Sequence, residues 1–187
     1  MRQLPLPFVH RPDFAELDFV EAASNTDALA WLRHPADWPC GRLALWGEAG
    51  CGKTHLLHLW AGRSGARYVC GPVLRPELSS PAMALAIDQA DAVTDEACLL
   101  HRLNFAAEER WPVLLAARTP PAHWAVRLPD LASRLRAITA VEIGRPEEAL
   151  LRALLAKLLS DRQLAVSPAV QDWLLLHLPR TPAAVSD

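Results

Sequence analysis

One run of eight residues constrains this chain more than anything else in it. Gly47-Glu48-Ala49-Gly50-Cys51-Gly52-Lys53-Thr54 has the pattern G-x-x-x-x-G-K-[ST]. The residues around it supply the context that pattern needs: Arg42 to Trp46 in front reads as an apolar strand, and Lys53 to Ala61 behind reads as a helix. Glycines at 47, 50 and 52 allow a tight turn that aims successive backbone N–H groups at a phosphate, and the helix N-terminus adds its partial positive charge. Lys53 is placed to reach the β- and γ-phosphates and Thr54 to give its hydroxyl to magnesium. Glu48, Ala49, Cys51 and His55 complete the loop and the first helical turn.

The rest of the chain repeats the alternation of short apolar runs and longer helical patterns that marks βαβ units and a parallel sheet covered on both faces. Further strands are expected at Ala66 to Val69, Met83 to Ile87, Val113 to Ala117 and Ile138 to Ile143. Helices are expected at Thr94 to Arg110, with Asp95 and Glu96 in its first turn, and at Asp130 to Ala137. The expected fold is α/β, a three-layer αβα sandwich around a five-stranded parallel sheet. After Gly144 no strand follows. Pro146, Glu147 and Glu148 open a helix with a stripe of leucines at 150, 151, 154, 155, 158 and 159, and a second helix spans Pro168 to Leu178. The expected division is an extended tail over 1–11, an α/β domain over 12–144 and a small helical domain over 145–187, with 187 residues fitting one core domain and a small appendage.

The strand Met83 to Ile87 runs into Asp88, an acid placed to hold a metal through its water shell at a neighbouring strand end. Gln89 follows, where a second carboxylate would polarise an attacking water. Glutamine can orient water but cannot accept its proton, so tight nucleotide binding with weak hydrolysis is expected of the chain alone.

Net charge is −2, with 19 basic residues against 21 acids, which excludes a bulk electrostatic grip on nucleic acid. The one basic stretch is local, four arginines between positions 118 and 136. Cysteines at 40, 51, 70 and 98 have neither zinc spacing nor the density of a disulfide framework and read as reduced thiols. Met1 to Phe8 lacks the features of a signal peptide, and no apolar run approaches the ~18 residues of a membrane span, so a cytoplasmic protein away from membranes is expected. His55 and His58 lack a third ligand at metal spacing. The seven tryptophans are scattered as packing residues, and the leucine stripe is too short for a zipper.

These residues resemble the AAA+ ATPases, and more narrowly the bacterial replication-initiator family typified by DnaA, with its shorter Hda-like branch. The resemblance spans roughly residues 12 to 187. It rests on Leu17-Asp18-Phe19-Val20 with Asn25, Gly47 to Thr54, Ile87-Asp88, Val113 to Ala117, Ser133-Arg134-Leu135 and Leu178-Pro179-Arg180. It implies that Phe19 and Val20 lie against the adenine of bound ADP or ATP, although an apolar pair is equally a packing element. It implies that Arg134 is offered in trans to a neighbour's γ-phosphate, with a solvated arginine as the alternative. Arg180 matches the arginine by which the helical lid contacts the nucleotide, and Thr119 is the polar residue nearest the first sensor.

Two departures from the full initiator follow. There is no helix-turn-helix segment with a basic recognition helix, so direct sequence-specific DNA binding is not expected. Gln3-Leu4-Pro5-Leu6-Pro7-Phe8 resembles the peptides that dock on the DNA polymerase sliding clamp. The prolines hold the segment extended, Leu4, Leu6 and Phe8 can anchor in an apolar groove, and Gln3 can hydrogen-bond. The resemblance thus implies a regulator that binds ADP or ATP with Mg2+, docks on the clamp and stimulates hydrolysis of ATP held by the initiator DnaA. An autonomous AAA+ ATPase that loads or remodels a helicase, and a clamp adaptor with a structural nucleotide, are the alternatives.

Overall fold

The computed structural model describes residues 20–75 and 83–178. Strands β1 (Arg42–Trp46), β2 (Arg67–Cys70), β3 (Leu85–Asp88), β4 (Val113–Ala117) and β5 (Thr139–Glu142) form one sheet in the order β2-β3-β4-β1-β5, every pair parallel. The helices are α1 (Thr26–Arg33), α2 (Lys53–Ser64), α3 (Glu96–Glu108), α4 (Pro129–Arg136), α5 (Glu148–Asp161) and α6 (Pro168–His177).

The two-residue period of the strands sorts their side chains into two layers. Leu43 and Leu45 of β1, Leu114 and Ala116 of β4 and Ala86 of β3 join Ala28 of α1 and Leu56, Leu57 and Trp60 of α2 in one buried cluster. Ala44, Val113, Leu115, Leu85 and Ile87 point the other way, into a cluster with Leu99 and Leu103 of α3 and Leu131 and Leu135 of α4. Because both faces are covered, a one-residue slip of a central strand would send each side chain into the layer packed for its neighbour, so it is the close packing of the two layers that holds the register. The architecture is therefore the expected three-layer α/β sandwich. A separate, smaller cluster joins α5 to α6, with Leu151 and Leu155 at its centre and Leu174 and Leu175 across from them.

The element ends differ from expectation by one to three residues, the largest difference being α2, which runs on to Ser64 before the left-handed Gly65 ends it. The third strand starts at Leu85, whose N–H bonds Pro112, and Met83 stands outside the sheet at 79% exposure. Strand β2 is shifted one residue along, to end at Cys70 opposite Asp88. Helix α3 begins at Glu96 because the Asp95 carboxylate accepts the N–H of Cys98, an N-cap. Helix α1 was not anticipated. It is only eight residues long, with Ala28 buried and Leu29 and Leu32 packed on the α2 side of the core.

Candidate nucleotide site

Strands β1, β3 and β4 run parallel in register, Trp46 beside Ala117 and Ile87 beside Leu115, so their C-terminal ends open on one edge of the sheet. In such sheets ligands bind at that edge. The glycine-rich loop leaves β1 there, with Gly47, Gly50 and Gly52 at φ of 153°, 77° and 104°. At Gly47 a side chain is also excluded by contact, since a Cβ would sit 2.4 Å from the Ile143 carbonyl oxygen.

Inside the loop the Lys53 ammonium is turned back on the backbone, donating to the carbonyls of Gly47 (2.8 Å) and Glu48 (2.6 Å) and lying 3.5 Å from Cys51 Sγ. Helix α2 starts at Lys53, so the first N–H groups of that helix lack helical acceptors and face the loop's concavity. The Glu48 carboxylate points outward to a two-point hydrogen bond with Arg145 (2.6 and 2.9 Å), which holds it below the usual carboxylate range. Ala49 completes the exposed turn.

Asp88 closes the site from β3. It is buried, and its carboxylate accepts three hydrogen bonds: Thr54 Oγ1 on Oδ2 (2.7 Å), the Tyr68 hydroxyl on the same Oδ2 (3.0 Å) and the Gln89 N–H on Oδ1 (2.9 Å). Burial, followed by the Asp88 charge, pushes the Tyr68 phenol well above its ordinary value, so it stays a donor. The Tyr68 ring stacks on His58, centroids 4.1 Å apart. Burial lowers the pKa of both His55 and His58; at His58 the charge of Asp88 acts in the opposite direction. Among the described residues no cluster of three or more His, Cys, Asp or Glu forms a metal site on its own.

Gln89 has a left-handed backbone, φ 50° and ψ 44°, and an exposed side chain. A non-glycine residue held there is strained, and strain of this kind gathers at functional turns. Its carbonyl lies against Gly71, where a Cβ would come within 2.3 Å of the oxygen. Asp91, two residues on, accepts the N–H of Arg118 just past β4 and so ties the β3 and β4 ends together. Thr119 is exposed, and its carbonyl accepts the Trp124 indole N–H.

Val20 belongs to a turn closed by Asn25, whose Nδ2 donates to the Val20 carbonyl (3.0 Å) and whose Oδ1 accepts the Ala22 N–H (2.9 Å). Ser24 in that turn accepts the N–H of Gly144 (2.8 Å), the residue after Ile143, whose carbonyl abuts Gly47. Val20 is thus linked to the phosphate loop through the 143–144 segment. Phe19, Arg180 and the residues Gln3, Leu4, Leu6 and Phe8 lie outside the described residues.

Arg134 lies apart from this assembly. It is half-buried on α4, and Arg136, on another face, is exposed. Its charge is felt by Arg42, the first residue of β1, whose pKa is lowered by burial and then by Arg134. The phosphate loop leaves the other end of that strand, four residues or ~13 Å away at ~3.3 Å per residue.

A parallel five-stranded sheet with a phosphate loop after β1 and an acid ending β3 is the AAA+ form of the P-loop nucleotide-binding fold, and this chain has that fold. Solved structures similar to it include domain III of the replication initiator DnaA from Thermotoga maritima, with a TM-score of 0.76 at 17% identity over 94% of this chain and 85% of that one. AMPPCP-bound DnaA from Aquifex aeolicus gives 0.73 at 16% identity, over 89% of this chain and 61% of that one. The Holliday-junction branch-migration motor RuvB of Thermotoga maritima gives 0.60 at 20% identity, over 78% and 51%. No family model matches the chain. An uncharacterised protein of Haemophilus influenzae is 29% identical over 157 residues, 72% of this chain and 65% of its own length, so the chain spans less than two thirds of that relative. No helix among the described residues is long and apolar enough to cross a membrane.

Tyr68, Asn25, Asp91 and Arg145 were not singled out as site residues in the sequence. Tyr68 carried one signal, as the single tyrosine of the chain. Asp91 and Arg145 make their contacts with residues distant in the chain, Arg118 and Glu48, whereas Asn25, already part of the resemblance, closes a local turn with Val20 and Ala22.

Proposed function

We propose that this chain is an AAA+ nucleotide-binding regulator of replication initiation, of the Hda-like kind. It holds ADP or ATP at its own phosphate loop and presents Arg134 to ATP bound by a neighbouring initiator, DnaA. The observation that carries the reading is the position of Arg134: a half-buried arginine, its side chain without a hydrogen bond or ion pair among the described residues, in the last turn of α4, which leads into β5 at Thr139 beside Leu43 near the start of β1, the strand end opposite the phosphate loop. An arginine there is useless to its own nucleotide and available to one on an adjoining molecule, where such groups are worth roughly 10³ to 10⁵ in rate.

The residues of the site fit a nucleotide. The Lys53 ammonium rests only on loop carbonyls and thiol, ready to exchange them for phosphate oxygens, and the Gly47 contact with Ile143 permits no side chain in the cradle. The Thr54 hydroxyl donates a hydrogen bond to Asp88, which leaves the lone pairs of its own oxygen free; Thr54 and Asp88 would hold Mg2+. Bound Mg2+ supplies neutralisation of phosphate charge. Gln89 orients water and takes no proton, so the resident nucleotide turns over slowly. Gln3, Leu4, Leu6 and Phe8 dock the protein on the polymerase sliding clamp, and Phe19, Val20 and Arg180 complete the nucleotide pocket.

The test follows the loss of ATP from purified DnaA, with clamp loaded on DNA. Addition of this protein is expected to accelerate hydrolysis at least tenfold and Arg134→Ala to abolish the effect, while deletion of residues 1–8 removes its dependence on the clamp. Equal stimulation by Arg134→Ala overturns the reading. Rapid turnover by the isolated chain, ~1 s⁻¹ or more, would favour an autonomous ATPase in its place.

A further inference from the structure

Of the three hydrogen bonds that Asp88 accepts, the one from Tyr68 is not accounted for by nucleotide binding as described above. Tyr68 stands opposite Ala86 in the β2–β3 register and Cys70 opposite Asp88, so Tyr68 shares a sheet face with Asp88 and lies one diagonal step away. From there its hydroxyl reaches Oδ2 at 3.0 Å, beside the Thr54 hydroxyl at 2.7 Å.

A carboxylate offers about four acceptor positions, two on each oxygen. Thr54 and Tyr68 fill both on Oδ2, and the Gln89 N–H takes one on Oδ1. A single position is left, on Oδ1. Without the Tyr68 hydroxyl, a position on Oδ2 opens, and that edge of the carboxylate is held by Thr54 alone, a residue at the exposed mouth of the site. The stack of the Tyr68 ring on His58, tilted by only 21°, holds the ring while its hydroxyl makes this contact.

We propose that Tyr68 is a positioning residue for the metal side of the nucleotide site. By occupying Oδ2 together with Thr54, it fixes which edge of the Asp88 carboxylate faces the ligand, and so sets the Mg2+ dependence of nucleotide binding. The proposal rests on the phosphate-loop reading above.

The experiment uses the full chain and a fluorescent N-methylanthraniloyl-ADP, titrated in EDTA and then across a MgCl2 series. Wild-type protein is expected to bind more tightly with Mg2+ than in EDTA. Tyr68→Phe keeps the ring and its stack and removes only the oxygen. It is expected to raise the half-effective Mg2+ concentration about tenfold, the scale of one hydrogen bond to a charged group, with affinity in EDTA within about twofold of wild type. Tyr68→Leu, which also removes the stack, is expected to shift the Mg2+ midpoint at least as far. An unchanged midpoint in Tyr68→Phe overturns the assignment, as does an equal loss of affinity with and without the metal, which a merely structural role would give. Wild-type binding that ignores Mg2+ also overturns the Tyr68 assignment but leaves the phosphate site standing. No nucleotide binding by the wild type overturns both.

Discussion

Gly71 shows how closely the turn after β3 is packed at the scale of single residues. A methyl group there would lie 2.3 Å from the Gln89 carbonyl oxygen and 3.0 Å from a Val93 methyl, and backbone cannot give way as a flexible side chain can. Gly71→Ala is therefore expected to cost ~1–3 kcal/mol in urea denaturation, the usual range for overpacking. It is also expected to weaken Mg2+-dependent nucleotide binding, because the atom displaced belongs to the turn that caps Asp88. At this scale the phosphate loop was legible in the sequence, since its glycines, lysine and threonine are contiguous and their chemistry is local. The contact of Tyr68 with Asp88 was not, because it depends on a register between two strands 15 residues or more apart in the chain.

Glu96 links two elements at once. It stands in the first turn of α3, and its carboxylate accepts the N–H groups of Arg127 and Leu128 (2.8–2.9 Å), the residues that lead into α4 and Arg134. Those bonds hold its pKa below the ordinary 4.5. A depressed folded-state pKa means that the contribution is fully present above the unfolded value and is lost as pH falls through the folded one. Glu96→Gln is thus expected to be less stable than wild type near pH 7, and the gap to narrow as pH falls below the ordinary 4.5; chemical denaturation near neutrality and in acid checks this. The neighbouring cap gives a second comparison near neutral pH, as Asp95→Ala is expected to cost about 1 kcal/mol through loss of the Cys98 bond. The sequence placed both acids in the first turn of this helix. It did not reveal that one serves its own helix and the other a segment some thirty residues away. Helix α1 is not legible in the sequence for a related reason: eight residues make too weak a periodic signal, and the helix is held by packing against α2 and β5.

For the whole molecule, ligand binding and folding are linked. A nucleotide at a hundredfold excess over its Kd, bound to the folded chain alone, adds about 2.7 kcal/mol of stability. Thermal melts are expected to rise with ADP and Mg2+ in wild-type protein and to stay flat in Lys53→Ala, which lacks the ammonium now resting on the Gly47 and Glu48 carbonyls. Arg134→Ala should keep the full rise, because Arg134 neighbours Arg42 at the far end of β1.

Taken alone, the sequence determined what depends on contiguous residues. The loop chemistry, the succession of strands and helices, and the change to an all-helical pattern after Gly144 follow from local spacing and turn residues. The tertiary structure decided what depends on which strand lies beside which. The order β2-β3-β4-β1-β5 brings Asp88 to Thr54, sets Tyr68 on Asp88 and puts Arg134 at the opposite end of the sheet from the phosphate loop. Strand order and register are long-range choices made by burying both faces of the sheet at once, and a one-dimensional pattern of apolar residues does not record them.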